Sequence, residues 1–188
     1  MYEIRLHGLG GDGVVRLSEI IGMAVTESGK WAHSFPFFGT EIRGAAVKAF
    51  TRIDDKPITI RSYIYEPDVL ILTNDVLLNQ PDVTAGIKKD TIFIINTKQE
   101  KNALEQRFGC KVYSIDAVDL AYSIIGKPIV NTIMLGAFIA ATEIMTLEAA
   151  ELINRHSFSE TVAEKNNLAM HAGYDYILEV ENETSVER

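Results

Sequence analysis

The chain begins with a short apolar run, a glycine cluster and apolar residues at helical spacing. Residues 2–7, YEIRLH, predict a first strand that is broken at Gly8. From residue 14 the apolar positions recur every three or four residues, which predicts an amphipathic helix over 14–28 with Gly29 as its C-cap. The aromatic stretch WAHSFPFF follows. Its proline excludes a regular helix, so we expect extended chain there.

Two β-type runs come next, AAVKAFTRI at 45–53 and PITIRS at 57–62. The polar triplet between them begins with Asp54 and Asp55, which are common turn residues. Short apolar runs on either side of turn residues are typical of a β-hairpin. The pattern therefore predicts an antiparallel hairpin built from these two runs.

The second half alternates strand and helix patterns. Ile- and Val-rich runs at 67–74, 90–97 and 110–116 predict strands, and a helical pattern between the last two closes at Gly109. Alternation of this kind favours a parallel sheet covered by helices on both faces. We predict an α/β fold, specifically a three-layer α/β/α Rossmann-like domain whose mainly parallel sheet carries one antiparallel hairpin.

The C-terminal third is predicted to be helical. Residues 131–145 are apolar on almost every side, which indicates a buried helix, and TLEAAELINR follows with Thr146 as its N-cap. A further helical pattern covers 160–179, and the polar end ENETSVER predicts a flexible tail. We expect one domain over 1–180 and a tail over 181–188.

Composition narrows the function classes. The chain has 188 residues, 47% of them hydrophobic, and a formal net charge of −8, which argues against a nucleic-acid-binding protein. Cys110 is the single cysteine, so the chain forms no internal disulfide and holds no iron–sulfur cluster by itself. No secretion-signal pattern opens it, and no apolar run approaches the ~18 residues of a membrane span. We expect a cytoplasmic protein.

The glycine cluster has the spacing of a phosphate-binding loop. Gly8, Gly10 and Gly13 have the spacing G-x-G-x-x-G between a predicted strand and a predicted helix. Glycines let backbone approach a pyrophosphate, and the N–H groups that begin the helix point at it. Two features oppose a dinucleotide site: no acid follows a second strand about 20 residues later, and Asp12 adds negative charge. A purely structural turn, with Asp12 capping the helix, is the alternative.

The triplet Gly11-Asp12-Gly13 also resembles the start of the magnesium motif of thiamine-diphosphate enzymes. A hard cation needs several oxygen ligands, and that motif supplies further ones from downstream asparagine. The first asparagine of this chain is Asn74, and the Asn166-Asn167 pair comes far too late. We therefore reject a magnesium site here.

Several motifs in order resemble the gamma subunit, or fused gamma domain, of 2-oxoacid:ferredoxin oxidoreductases. That family typically shows HGxGGQG after a strand, then FPxxGxExRGxP, R-I-x-D-x-P-I and PD. The present chain has IRLHGLGGDG at 4–13 and SFPFFGTEIRGAAVKAFTRIDDKPITIRSYIYEPD at 34–68. NTIMLGA at 131–137 and EKNNLAMHAGY at 164–174 match later family motifs. The chain departs from the pattern with Asp12 in place of Gln and Ala46 in place of Pro.

The resemblance implies a subunit without autonomous catalysis. In such enzymes a pyruvate, branched-chain or aryl 2-oxoacid is decarboxylated on thiamine diphosphate with Mg, electrons leave through 4Fe-4S clusters, and the acyl group passes to coenzyme A (CoA). The resemblance places those cofactors on partner subunits and associates the gamma portion with CoA access and complex closure. A free-standing Rossmann-like nucleotide-binding protein and a purely structural scaffold are the two alternatives.

Candidate CoA contacts fall in two loops, and none of these residues is predicted to be catalytic. Arg43 suits bidentate recognition of phosphate or carboxylate, and Glu41 would orient it or contact a neighbouring subunit. An ion pair with Glu41 or a subunit contact is the alternative role of Arg43. Asn131, before the buried helix, is expected to cap that helix. The complete set of candidate binding residues comprises the glycine loop and the following aromatic loop: Gly10, Gly11, Asp12, Gly13, Phe38, Gly39, Thr40, Glu41 and Arg43.

Overall fold

The structure, a computed structural model, describes residues 1–37 and 45–186. In these ranges the strands are β1 (Tyr2–Leu9), β2 (Trp31–Phe37), β3 (Ala46–Asp54), β4 (Val69–Leu72), β5 (Ile92–Asn96) and β6 (Lys111–Ile115). The helices are α1 (Val14–Glu27), α2 (Pro81–Thr84), α3 (Lys101–Phe108), α4 (Ala117–Ile124), α5 (Asn131–Thr142), α6 (Leu147–Ser157) and α7 (Glu160–Val186), with a 3-10 turn at Asp75–Leu77.

The described strands form one sheet in the order β2-β3-β1-β4-β5-β6. β1 pairs in parallel with β4, β4 with β5, and β5 with β6, whereas β3 runs antiparallel to both β1 and β2. Helices cover both faces, so the predicted α/β fold with a mainly parallel sheet is confirmed. β2 is an edge strand, so it has a neighbouring strand on one side only. Such a strand tolerates Pro36, which has no N–H to donate to a second neighbour.

The predicted hairpin is wrong in its second arm. Residues 45–53 do form a strand, but residues 57–62 form none, and the antiparallel partner of β3 is β2. β1 and β2 occupy both edges of β3, so no edge of that strand remains for the following run. The sequence pattern of two short apolar runs around a turn does not show that an earlier segment, β2, pairs with this edge of β3.

Each face of the sheet has its own apolar core. The first core lies between the sheet and α1, α4, α5, α6 and α7, and includes Leu17, Ile71 and Phe138, each at most 1% exposed. The second core, on the opposite face, gathers Leu72, Phe93 and Leu104 beneath α2 and α3. Helices cover only part of this second face. Over β1 and β3 the face is covered instead by the segment that connects β3 and β4.

Most predicted helix ends are confirmed. Gly109 is the C-cap of α3 with φ of 65°, as predicted. The C-cap of α1 is Ser28, one residue before the predicted Gly29, which follows it with φ of 82°. Both glycines adopt a left-handed conformation that costs glycine no steric strain. The Thr146 hydroxyl accepts a hydrogen bond from the Ala149 N–H at 3.3 Å and caps α6. α7 is one helix of 27 residues that runs to Val186, beyond the predicted end at residue 179.

α5 and α7 cross with their backbones in contact. A Cβ atom added to Gly136 of α5 would overlap the Met170 carbonyl, and one added to Gly173 of α7 would overlap the Ile133 carbonyl. Each helix therefore presents a glycine to the backbone of the other. These two glycines belong to the motifs NTIMLGA and EKNNLAMHAGY, and their shared role is to let the two helices approach closely.

Candidate functional site

The glycine loop lies at the carboxyl end of β1 and leads directly into α1. Gly10 donates its N–H to the Ala45 carbonyl at 2.8 Å, and Asp12 donates its N–H to the Leu9 carbonyl at 3.0 Å. Gly11 and Gly13 adopt φ of 111° and 77°, which residues with a Cβ adopt only under strain. The sequence therefore needs glycine at both positions to make this strand-to-helix turn.

Asp12 closes the loop instead of capping α1. Its Oδ2 accepts hydrogen bonds from the Leu9 N–H at 2.8 Å and from the Thr73 hydroxyl at 3.1 Å. The N-cap of α1 is Gly13, and no side chain in the described residues caps this helix, so the capping role that the structural alternative gave to Asp12 is wrong. One oxygen of the carboxylate thus faces the interior of the loop, where two donors partly offset its charge.

The neighbouring parallel strands deliver polar groups to the same edge of the sheet. Thr73 follows β4, and its backbone N–H donates to the His7 carbonyl at 2.9 Å. Asn96 ends β5 and bridges two elements: its Nδ2 donates to the Thr73 carbonyl at 2.8 Å, and its Oδ1 accepts from the Ala117 N–H at 2.9 Å. A Cβ at Gly8 would overlap the Thr73 hydroxyl, so that glycine permits close packing of the two strands.

The N-termini of α1 and α5 converge at this loop. A Cβ added to Gly13 would lie 2.7 Å from Asn131 Nδ2, which places the first residue of α5 against the N-cap of α1. Asn131 was expected to cap α5, but the N-cap is Val130, and Asn131 Oδ1 accepts two hydrogen bonds from the adjacent Thr132, one from its N–H at 3.0 Å and one from its hydroxyl at 3.4 Å. Neither Thr73 nor the position of Asn131 beside the loop was predicted from the sequence. Their one signal is a polar residue directly after a strand or before a helix.

This arrangement suits an anion. Helix N-termini carry a positive partial charge of roughly half an elementary charge each, and their first N–H groups have no partner within the helix. Neither α1 nor α5 has a side-chain cap on its N-cap residue in the described part of the chain. Glycine at positions 10, 11 and 13 keeps side chains out of the approach, as phosphate-binding loops require.

The second predicted loop falls outside the described residues. Phe38, Gly39, Thr40, Glu41 and Arg43 all belong to residues 38–44. The structure fixes both flanks of this segment, since β2 ends at Phe37 and the Ala45 carbonyl accepts from Gly10. Of the predicted binding residues it therefore brings together Gly10, Gly11, Asp12 and Gly13, and the roles of the other five stay predictions.

A dinucleotide site of the usual type does not fit this topology. Such sites are built on a strand, a helix and a second strand that lies beside the first in the sheet. An acidic residue ends the second strand. Here β2 follows α1 but pairs with β3, and the parallel neighbour of β1 is β4. Asp75 does follow β4, but its carboxylate already accepts the Thr97 hydroxyl at 2.6 Å.

Cys110, at the start of the run predicted as a strand over 110–116, is a core residue. It is 6% exposed, and burial, with a smaller contribution from Glu105, raises the pKa of its thiol to about 11. Within residues 1–37 and 45–186 no three His, Cys, Asp or Glu side chains are grouped as metal ligands. No helix in these ranges combines the length and apolar character of a membrane span.

The family model of pyruvate ferredoxin/flavodoxin oxidoreductases matches residues 3–176. The pyruvate synthase subunit PorC of Methanocaldococcus jannaschii is 44% identical over 178 residues, which cover 95% of this chain and 98% of that protein. The pyruvate/ketoisovalerate oxidoreductases common subunit gamma of Thermococcus kodakarensis is 43% identical over 178 residues, with 93% and 96% covered.

Two solved structures extend the comparison. Pyruvate oxidoreductase subunit PORC from Thermotoga maritima matches with a TM-score of 0.82 and 34% identity, over 93% of this chain and 95% of that one. The 2-oxoglutarate:ferredoxin oxidoreductase of Magnetococcus marinus shares the fold over 92% of this chain and 30% of its own, with a TM-score of 0.75 and 22% identity. On the match of residues 3–176 and on these relatives, the chain belongs to the pyruvate ferredoxin/flavodoxin oxidoreductase family.

Proposed function

We propose that this chain is the gamma subunit of a multi-subunit, cytoplasmic 2-oxoacid oxidoreductase, and that its glycine loop binds an anionic part of CoA. The complex oxidatively decarboxylates a pyruvate, branched-chain or aryl 2-oxoacid to the acyl-CoA. Partner subunits hold thiamine diphosphate with Mg and the 4Fe-4S clusters. The single, buried Cys110 agrees with that division, because four thiolates are needed for each cluster.

One observation carries the CoA proposal: the N-termini of α1 and α5 meet at a loop that has no side chain at positions 10, 11 and 13. CoA carries phosphate groups, and two convergent helix N-termini stabilise negative charge more than one does. Oδ2 of Asp12 faces the Leu9 N–H and Thr73, so this carboxylate oxygen is directed into the loop.

Arg43 supplies the sharpest test, because its guanidinium would add bidentate phosphate contacts beside the loop. We expect Arg43→Ala, in the assembled complex, to raise the KM for CoA about tenfold or more with subunit composition unchanged. The matched control is Arg61→Ala, an exposed arginine whose hydrogen bonds within the described part of the chain go to the nearby Ile58 and Ile60 carbonyls. It should leave the KM for CoA at the wild-type value.

The same variant separates CoA binding from a scaffold role. If Arg43→Ala releases the chain from the complex, the aromatic loop serves assembly and the proposed contact is wrong. If assembly and the KM for CoA both match the wild-type values, Arg43 does not contact CoA. Tight NAD(H) binding by the purified chain would instead support the free-standing nucleotide-binding alternative.

A further inference from the structure

A cavity of about 360 Å³ opens on the second face of the sheet, on the opposite side from the α1–α5 core. Arg5 and His7 of β1 form its floor, since alternate residues of a strand point to the same face. Rings of Phe37, Phe50 and Tyr63 form one wall, with Phe50 and Tyr63 stacked at 5.4 Å between centroids. The cavity thus combines a polar floor with an aromatic wall.

The polar floor is unsatisfied. His7 is 0% exposed, and neither Nδ1 nor Nε2 has a hydrogen-bond partner among the described residues. Arg5 Nε is likewise buried and unpartnered in that part of the chain, although its terminal nitrogens donate to the carbonyls of Ile64, Tyr65, Val83 and Ala85. Buried polar groups are almost always paired, so three unpaired nitrogens on one cavity floor indicate a site for a polar ligand.

The charges around His7 define the chemistry of that ligand. Arg5 on β1 and Lys48 on β3 are cationic, and Asp82 on α2 forms an ion pair with Lys48 across the cavity. Burial, then Arg5 and Lys48, lower the pKa of His7 to about 3, so His7 is neutral at physiological pH. The remaining titratable groups on the lining are Glu66, Tyr63 and Tyr65, all from the segment between β3 and β4.

We propose that this cavity is a second binding site, which takes a small carboxylate with an apolar or aromatic tail. The carboxylate accepts hydrogen bonds from Arg5 Nε and from the N–H of His7, and the tail packs against Phe37, Phe50 and Tyr63. The two cations favour the anion, and a cavity of this size suits a small molecule. The His7 nitrogens and Arg5 Nε have no exposed surface, so the ligand reaches them only after Lys48, whose side chain is one-quarter exposed, releases Asp82 and moves aside.

Binding is coupled to a proton. A carboxylate beside His7 favours the imidazolium form and offsets the repulsion from Arg5 and Lys48. The complex therefore takes up a proton from solvent, either onto His7 or shared with the ligand, so that charge balances at the floor of the cavity. Affinity for the carboxylate consequently rises as the pH falls from about 7 to about 5.

Calorimetry on the full chain tests the site, with benzoate as the probe and benzamide as its uncharged analogue. We expect benzoate to bind with net proton uptake, measured in two buffers of different ionisation enthalpy, and benzamide to bind at least about tenfold more weakly. His7→Leu should weaken benzoate binding about tenfold or more. His33→Leu, on the same face but outside the cavity, should leave benzoate binding unchanged.

A second measurement uses only the wild-type protein and so does not depend on whether a variant folds. The chain has four histidines, so the imidazole signals of the wild-type protein can be followed by NMR during a benzoate titration. A shift of one buried histidine towards the protonated form supports the proposal. No binding up to about 10 mM, equal affinity for benzamide, or binding that His7→Leu leaves intact overturns it. None of these results bears on the proposed CoA contact at the glycine loop, which has its own test.

Discussion

At the scale of single residues, Gly13 is under two constraints that can be measured apart. Its φ of 77° strains any residue with a Cβ, and that Cβ would lie 2.7 Å from Asn131 Nδ2. We expect Gly13→Ala to lower the free energy of unfolding by about 2–3 kcal/mol. Gly126 has φ of 78° and open space around it, so Gly126→Ala isolates the strain at about 1 kcal/mol.

Equal losses in these two variants, measured by urea unfolding, would contradict the packing of α5 against the loop. The α1–α5 convergence that supports the proposed anion site would then lack its main contact. A larger loss in Gly13→Ala confirms that Asn131 occupies the space beside the N-cap.

His7 predicts a pH dependence of stability. Its pKa of about 3 in the folded state lies below the ordinary value of about 6.5 expected in the unfolded state. The unfolded chain therefore binds the proton first, and stability that is complete above pH 6.5 falls as the pH drops towards 3. Between pH 7 and pH 5 this loss amounts to about 2 kcal/mol.

Urea unfolding of wild type and His7→Gln at pH 7 and pH 5 measures this contribution. The variant should lose about 2 kcal/mol less than wild type between the two pH values. His156→Gln, on the exposed surface of α6, is the control and should follow wild type. Parallel behaviour of all three proteins would show that His7 is accessible to protons in the folded state.

Local residue chemistry was readable from the sequence where it depends on backbone conformation. The sequence pattern predicted that the glycine cluster lies between a strand and a helix, and residues 10, 11 and 13 do lie in the turn between β1 and α1. The partner of Asp12 was not predictable, because Thr73 lies 61 positions away and approaches only through β1–β4 pairing. The pairing of residues across strands, rather than their spacing along the chain, decides such contacts.

At the scale of elements, the α5–α7 crossing predicts an unusual sensitivity to one methyl group. Gly136→Ala should cost about 3 kcal/mol or more of unfolding free energy, because the new Cβ meets backbone that no rotamer change can move. Alanine has a more favourable intrinsic helix propensity than glycine by about 1 kcal/mol, so propensity alone would make this variant more stable. Gly173→Ala should behave in the same way.

Gly22→Ala in α1 is the matched control for this crossing. A Cβ at that buried helical glycine would meet chiefly the Ser34 hydroxyl, a side chain that can rotate. We expect its loss to be smaller than that of either crossing variant. Thermal or urea unfolding that ranks Gly22→Ala as the most damaging would contradict the close approach of α5 and α7.

Element identity followed from hydrophobic pattern more reliably than element pairing did. The helices α1, α3 and α5 and the parallel strands β4, β5 and β6 were all predicted. The partner of β3 was not, because runs on both sides of it had β-type patterns and only one could occupy its free edge. Which segment pairs with β3 depends on the tertiary structure, and β2 rather than residues 57–62 occupies that edge.

At the scale of the whole molecule, the chain has an apolar core on each face of its sheet and belongs to a family of oxidoreductase subunits. Its single, buried cysteine cannot supply the four thiolates of an iron–sulfur cluster, which agrees with the proposed placement of the clusters on partner subunits. Its most defined polar feature is the edge where β1, β4 and β5 end and α1 and α5 begin. We therefore expect its contribution to be to CoA binding and assembly rather than to bond breaking.

Gentle purification of this chain from its native cells, followed by an absorption spectrum, mass spectrometry and an assay with 2-oxoacid and CoA, tests the subunit assignment most directly. The account predicts a brown complex that contains larger thiamine-diphosphate- and cluster-bearing chains and turns over substrate, whereas the isolated chain shows no turnover. A colourless chain that purifies alone, or turnover by the isolated chain, would contradict it.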